Sequence, residues 1–140
     1  MAYVKNWLHC VWGTKNRKPY FTDEIRSVVF NHITENAKIK GIYIKSLNGC
    51  EEHIHCLLSL DPDKSLSYAM QLIKGEASFW INRNKLTKLR FEWADEYYAV
   101  SVSESHIINV IKYINNQENH HKRKSWDEEQ KELLKAFGFE

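Results

Sequence analysis

The fold is decided by residues 51–60, which read Glu51-Glu52-His53-Ile54-His55-Cys56-Leu57-Leu58-Ser59-Leu60. Side chains of a β-strand point alternately to its two faces, so His53 and His55 share one face. The opposite face takes the apolar set: Ile54, Cys56, Leu58 and Leu60. The stretch therefore predicts a strand with an apolar face for the core and two imidazoles on the other face.

Two imidazoles side by side are a candidate for part of a metal site. Neutral imidazole binds several divalent metals, but two ligands are too few, so a third must come from elsewhere in the chain. On its own, a His-x-His pair in a strand more often marks two partly exposed polar residues than a metal site. The rest of the sequence is therefore needed to distinguish a metal site from two partly exposed histidines.

The flanking sequence predicts three more strands and two core helices. Residues 3–12, 42–47 and 97–102 have strand character, and Asn48-Gly49 predicts the hairpin turn before His53. Thr22 and Ser65 are helix caps. Apolar residues follow each cap at helical spacing: Ile25, Val28, Val29, Ile33 and Ala37, then Leu66, Ala69, Met70, Ile73, Ala77, Trp80 and Ile81.

The order strand, helix, strand, strand, helix, strand predicts the fold class. It is the α+β, ferredoxin-like split βαβ pattern, an antiparallel sheet with both helices on one face. With the helices on one face, we expect His53 and His55 to lie open on the other.

Two further helices are predicted after the last strand. Ser103 or Ser105 caps the first, whose buried stripe is Ile107, Val110, Ile111 and Ile114. Tyr113 and Gln117 are four residues apart, so they project from one side of that helix. Ser125 opens a capping box for the second, at about 126–137, which we expect to dock or to pair with another chain and to have no catalytic role.

Length and composition indicate a single domain over residues 1–140, with its core at about 3–121. The chain is 43% hydrophobic and 27% charged, as in an average soluble protein, and no apolar run is long enough to span a membrane. The N-terminus lacks the features of a signal peptide, so we expect a cytoplasmic protein. Cys10, Cys50 and Cys56 form no Cys-x-x-Cys pair and predict small core residues rather than disulfides or a zinc ribbon.

The positive charge is clustered although the formal net charge is only +2. The first cluster is Lys15, Arg17 and Lys18, and the second is Lys122, Arg123 and Lys124. A short basic run is often only a solvated surface, but such clusters are also the usual contacts to nucleic acid phosphates. His120 and His121 are adjacent on a helical segment, so we expect them not to share a metal.

These pieces predict one kind of chemistry in combination. An ion held by two histidines and a side-chain amide oxygen keeps positions free for a phosphate oxygen and acts as a Lewis acid. A tyrosine one helical turn from the third ligand would lie next to the phosphorus. A covalent phosphotyrosine conserves the ester bond for rejoining, so the pattern suits strand transfer better than hydrolysis.

Four motifs together resemble the single-tyrosine HUH transposases, the small prokaryotic insertion-sequence transposases of the two-hundred group. The motifs are His53-Ile54-His55, Thr14-Lys15-Asn16-Arg17, the helical segment 74–80 (KGEASFW) and Tyr113-Ile114-Asn115-Asn116-Gln117. Each is weak alone, and their order and spacing carry the resemblance over roughly residues 3–121.

The resemblance implies a DNA transposase that cleaves and rejoins single-stranded DNA at hairpin-marked element ends through a 5′-phosphotyrosine. It implies Mg²⁺ or Mn²⁺ as cofactor, a homodimer whose tyrosine helix completes the partner's site, and action at the nucleoid. Carried over by position, Tyr113 is the nucleophile, His53 and His55 are metal ligands, and Gln117 is the third ligand ahead of Asn116.

Other readings remain open at this point. Tyr113 could be a packing residue and Gln117 a surface residue. The chain could be a domesticated relative acting on dispersed repeat hairpins, a hairpin-binding protein without catalysis, or a metal nuclease that uses water. A water-using nuclease would cleave DNA equally well after Tyr113→Phe.

Overall fold

The computed structural model of the chain describes residues 3–117, 119, 122 and 124–139. The predicted order of elements is confirmed. The elements are β1 Trp7–Gly13, α1 Asp23–Ile39, β2 Tyr43–Gly49, β3 His53–Ser59, α2 Leu66–Arg83, β4 Tyr98–Val102, α3 Ile107–Asn115 and α4 Trp126–Ala136. Ser65 and Ser125 cap α2 and α4 by accepting hydrogen bonds from the amides of Tyr68 and Glu128.

The four strands form one antiparallel sheet in the order β2-β3-β1-β4, so the ferredoxin-like prediction is confirmed. The two central strands, β1 and β3, pair with Val11 opposite His55 and Gly13 opposite His53. Paired residues in a sheet point to the same face. Alternate residues of β1 therefore share a face with the two histidines.

One face of the sheet packs against α1 and α2 to form the main core. The strand residues in it include Cys10, Trp12, Ile54, Cys56 and Leu58. The helix stripes follow the prediction with one exception. Val28 is 47% exposed, because the buried arc of α1 runs through Val29, Phe30, Ile33 and Ala37 instead.

The hairpin between β2 and β3 is present, but its turn begins two residues later than predicted. Asn48 and Gly49 belong to β2, where they pair with His55 and Ile54, and the chain reverses at residues 50–52. A Cβ atom on Gly49 would come within 2.1 Å of the His53 carbonyl oxygen. Gly49 is therefore needed for close backbone approach beside the turn rather than for the turn itself.

The second face of the sheet is covered, contrary to the prediction that it lies open. Leu57, Ile107 and Ile114 form a second apolar cluster between this face and α3, with Trp7 and Val110 packed against it. His53 and His55 are consequently fully buried. Among the described residues, no helix is both long and apolar enough to cross a membrane.

Candidate active site

The two histidines of β3 lie side by side on the covered face of the sheet. Their ring centroids are 5.1 Å apart. Each ring is held on its Nδ1 side, His53 by Glu52 Oε1 at 3.2 Å and His55 by His9 Nε2 at 3.0 Å. Such partners fix the orientation of an imidazole, so the Nε2 atoms face a common point.

The end of α3 brings Tyr113 and Gln117 to that point. Asn48 on β2 donates hydrogen bonds from Nδ2 to the carbonyls of Ile114 and Asn115, at 3.1 and 3.3 Å, and so ties α3 to the sheet. Gln117 is fully buried, with Oε1 3.1 Å from His53 Nε2. The Tyr113 ring lies 5.4 Å from the His55 ring. The structure thus brings together within one chain all four residues predicted for the site.

A fifth residue, Glu129 of α4, occupies the middle of the site and was not predicted there. Its Oε1 accepts a hydrogen bond from the Tyr113 hydroxyl at 2.6 Å and lies 3.0 Å from His55 Nε2. Its Oε2 lies 3.5 Å from His53 Nε2. Glu129 is only 3% exposed, so a helix that was predicted to have no catalytic role places a buried carboxylate in the site.

Helix α4 is held over the site by contacts on both sides of Glu129. The Trp126 ring stacks on His53 at 4.1 Å with an angle of 8° between the planes. Gln130 Nε2 donates to the hydroxyl of Tyr98, and Asp127 pairs with Arg17 at 2.6 Å. The helix therefore closes the site from solvent.

The charges of the site are strongly coupled. Burial disfavours charge on His53, but hydrogen bonds to Glu129 and Glu52 outweigh it and raise the pKa of His53 to about 9. Burial likewise opposes the charged Glu129, yet contacts with the two histidines and Tyr113 hold the pKa of its carboxyl well below the usual range. Burial and the neighbouring carboxylate raise the pKa of Tyr113 well above that of a free phenol.

His9 behaves differently from the histidines it supports. Burial, with repulsion from His55, lowers the pKa of His9 to about 3. The ring is therefore neutral near pH 7 and can either donate to or accept from His55. It acts as an orienting partner rather than as a charge.

The spacing of the donor atoms fits a divalent ion. Two ligand atoms at about 2.1 Å from one ion, and roughly 90–110° apart around it, are separated by about 3.0–3.4 Å. The pair His53 Nε2 and Gln117 Oε1 meets this condition at 3.1 Å. Neutral imidazole and amide oxygen are both accepted ligands for such an ion.

Of the predicted DNA contacts, Arg17 lies at the cleft beside Trp126. Lys15, Arg17 and Lys18 are exposed on the loop after β1, where Lys15 pairs with Glu92 at 2.8 Å. Lys122 is exposed, and Lys124 pairs with Glu132 at 2.6 Å. The other predicted contact, Arg123, lies outside the described residues, as do His120 and His121.

Both missed residues had a signal in the sequence. His9 has the same strand parity as Trp7 and Val11, and β1 is next to β3 in the predicted topology, so His9 belongs on the face of the two histidines. Glu129 stands at helical spacing within an otherwise apolar stripe, Trp126, Leu133 and Phe137. A carboxylate on the packing face of a helix needs a polar partner.

A family model matches most of this chain. The model described as "Transposase IS200 like" matches residues 2–117, most of the chain. The chain belongs to the IS200-like transposase family. The matched range includes β1 to α3 and ends at Gln117, before α4.

Individual relatives agree with the family. The transposase of insertion sequence IS200 from Salmonella typhimurium is 28% identical over 115 residues, covering 78% of this chain and 74% of its own length. The ISDra2 transposase TnpA of Deinococcus radiodurans is 22% identical over 114 residues, covering 78% of this chain and 81% of its own. The chain is accordingly a transposase, and the predicted family is confirmed.

Two solved structures share the fold. A candidate transposase from Deinococcus radiodurans R1 superposes with a TM-score of 0.67 at 24% identity, covering 84% of this chain and 95% of its own. A REP-associated tyrosine transposase bound to a REP hairpin superposes with a TM-score of 0.66 at 16% identity, covering 86% of this chain and 72% of its own. At these identities the likeness supports the fold alone.

Proposed function

We propose that this IS200-like transposase cleaves and rejoins single-stranded DNA at hairpin-marked element ends, with Tyr113 as nucleophile and Mg²⁺ or Mn²⁺ bound by His53, His55 and Gln117. The observation that carries the proposal is the convergence of the Tyr113 hydroxyl and the two imidazoles on one buried point, where Glu129 Oε1 contacts both Tyr113 and His55. The reaction would take place in the cytoplasm, at the nucleoid.

The chemical step is a transesterification. The Tyr113 oxygen forms a bond to the scissile phosphorus while the bond from phosphorus to the 3′ oxygen breaks. The phenol loses a proton and the leaving 3′ oxygen gains one, so a 5′-phosphotyrosine and a free 3′-hydroxyl result. A 3′-hydroxyl attacking the phosphotyrosine reverses the step and joins the strands, with no external energy source.

The bound ion would supply Lewis-acid stabilisation of charge on the phosphate oxygens. The chain's own residues prepare the site for that ion. His9 and Glu52 orient the two imidazoles, and Asn48 fixes the end of α3 so that Tyr113 and Gln117 stay in register with β3. The nucleophile is thus positioned by hydrogen bonds to rigid strands, which is where orientation contributes most to rate.

The DNA would approach across the basic loop. Lys15, Arg17 and Lys18 are exposed on the loop after β1, and Arg17 lies at the site's mouth near Trp126. A cleft of about 400 Å³ lies there, lined in part by Arg17, Trp126 and Gln130. The residues Lys122, Arg123 and Lys124 would extend the phosphate contacts. The hairpin bound by the REP-associated neighbour supports a hairpin substrate here.

Access requires α4 to move. In the closed arrangement, His53 and His55 are fully buried and Glu129 takes the space beside Tyr113. A phosphodiester therefore reaches the tyrosine only after α4 withdraws. We include this opening in the proposed reaction cycle.

A homodimer with sites shared between subunits stays a prediction. One chain brings Tyr113 to its own histidines, which supports a site that works within a single subunit. A mixture of Tyr113→Phe and His53→Ala proteins distinguishes the arrangements, because only shared sites regain cleavage on mixing. Light scattering of the wild type gives the oligomeric state independently.

The experiment that tests the proposal is a denaturing gel of protein with labelled single-stranded DNA from both flanks of the gene, with and without Mn²⁺. We expect a metal-dependent covalent adduct in the wild type that disappears in Tyr113→Phe. Cleaved DNA without an adduct in either protein would show that water is the nucleophile. A shifted band without cleavage, with both flanks present, would favour the hairpin-binding reading.

A further inference from the structure

Glu129 adds a buried carboxylate to the histidine site. Among the described residues, His53, His55 and Glu129 each offer a ligand atom within 4.8 Å of the other two, and all three are buried. The residue lies on α4, beyond the residues 2–117 that the family model matches. It is therefore a feature of this chain that the family match does not explain.

The geometry points to Glu129 as a ligand of the ion. We propose that the DNA-free protein binds one Mg²⁺ or Mn²⁺ through four side chains, His53, His55, Gln117 and Glu129. This inference rests on the proposed function for the histidine site itself. Its new content is the carboxylate, which closes the coordination from the side of α4.

The distances support direct coordination. His55 Nε2 lies 3.0 Å from Glu129 Oε1, and His53 Nε2 lies 3.5 Å from Glu129 Oε2. The first separation lies within the about 3.0–3.4 Å expected of atoms that share one ion, and the second lies just above that range. Glu129 Oε2 is buried, and within the described part of the chain it makes no hydrogen bond of good geometry, because its contact with His53 Nε2 is long at 3.5 Å. A buried carboxylate oxygen with one long contact is a site where a cation is favourable.

The charge balance supports the same assignment. Two imidazoles and an amide are neutral ligands, so with them alone a divalent ion would be buried with both its charges uncompensated. One carboxylate halves the net charge of the site. Its oxygen is also a hard ligand, which Mg²⁺ and Mn²⁺ prefer to nitrogen.

Packing contacts at both ends of helix α4 fix the position of the Glu129 carboxylate. Trp126, one turn before Glu129, stacks on His53. At the other end of the helix, the Phe137 ring packs edge-on against His9 at 5.7 Å. The helix thus contacts His53 near its start and His9 near its end, and Glu129 lies between these two contacts.

The test is a titration of the metal-free, DNA-free full chain with Mn²⁺. Binding is measured by the loss of the electron paramagnetic resonance signal of free Mn²⁺. We expect one ion per chain in the wild type and a Kd at least about tenfold weaker in Glu129→Gln, since even outer-shell changes cost about 10–100-fold. Glu129→Asp keeps the charge and should fall between the two. Glu128→Gln, exposed on the same helix, is the matched control and should bind as the wild type does.

An unchanged or tighter Kd in Glu129→Gln would overturn the inference, because it would show that the carboxylate only fills the site or competes with the ion. Circular dichroism of each variant checks folding, and Glu129→Asp keeps the test valid if Glu129→Gln is unstable. His53→Ala separates the two proposals. If it also binds Mn²⁺ as the wild type does, the histidine site itself is wrong, whereas failure at Glu129 alone leaves the proposed function intact.

Discussion

The two faces of the sheet do different work with alternate residues of the same strands. On one face, Ile54, Cys56 and Leu58 pack against α1 and α2 without a polar partner. On the other, His53 and His55 meet α3 and α4 through hydrogen bonds and ion pairs. Among three consecutive residues, His53 and His55 thus point to the candidate site and Ile54 points to the core. The comparison teaches that the apolar face carries the stability and that the polar face is free to be tuned for the reaction.

The largest effect is expected on the apolar face. Ile54→Ala should lower the free energy of unfolding by about 2–5 kcal/mol, because a fully buried side chain leaves a cavity between the sheet and the helices. Urea titration measures the loss. Adduct formation per folded molecule should stay at the wild-type level. A loss of activity larger than the loss of folded protein would show that the two faces are coupled.

A substitution at the neighbouring residue, His55, should affect activity more than stability. His55→Ala should reduce adduct formation at least about 100-fold, equivalent to roughly 3 kcal/mol in the barrier, because the proposed metal site loses a ligand. Its free energy of unfolding should fall by about 1–3 kcal/mol, because the buried His9 and Glu129 each lose a polar partner. Rate and urea measurements on the same preparation test both. A stability loss equal to that of Ile54→Ala would remove the distinction between the faces.

The polar face should also make stability depend on pH. The pKa of His53 is raised to about 9 in the folded, metal-free chain, against about 6.5 when unfolded. The folded state then binds more protons between these values, so this contribution is fully present below pH 6.5 and is lost as the pH rises through 9. The expected loss is on the order of 3 kcal/mol.

Urea titrations in EDTA from pH 6.5 to 9.5 measure this slope. Glu129→Gln should flatten it, because the carboxylate is the group that holds the proton on His53. A change at an exposed carboxylate of the same helix, Glu128→Gln, should leave it as it is. An equally steep slope in both variants would contradict the role given to Glu129.

The smallest effect is expected at the rim. Arg17→Ala should weaken binding of a single-stranded hairpin by about 1 kcal/mol and lower the salt slope by about 0.7, as one phosphate contact is lost. Lys38→Ala, exposed in α1 on the other side of the sheet, is the control. Fluorescence anisotropy at several salt concentrations measures both. Equal losses in the two variants would indicate a non-specific charge effect.

The apolar face was readable from the sequence because its signals are local. Alternation in β3 and the stripes of α1 and α2 need only neighbouring residues, and they predict the sheet and the core correctly. The hairpin turn was misplaced because Asn48-Gly49 is a common turn pair, whereas here a close contact between Gly49 and His53 decides its position.

The polar face was only partly readable because its contacts span the chain. His53, His55, Tyr113 and Gln117 could be selected through a family resemblance. Glu129 reaches them from 74 residues beyond His55 by sequence number, through the docking of a helix whose partner no local pattern reveals. The expectation of an open face failed for the same reason, since it counted α1 and α2 but not the packing of α3 and α4.

The central claim, that the covered face performs strand transfer through Tyr113, is tested most directly by locating the covalent adduct. Trypsin releases residues 113–122, in which Tyr113 is the only tyrosine. After nuclease treatment of the wild-type adduct, mass spectrometry should find a 5′-linked nucleotide on this peptide alone. A nucleotide on another tyrosine, or cleaved DNA with this peptide unmodified, would contradict the account.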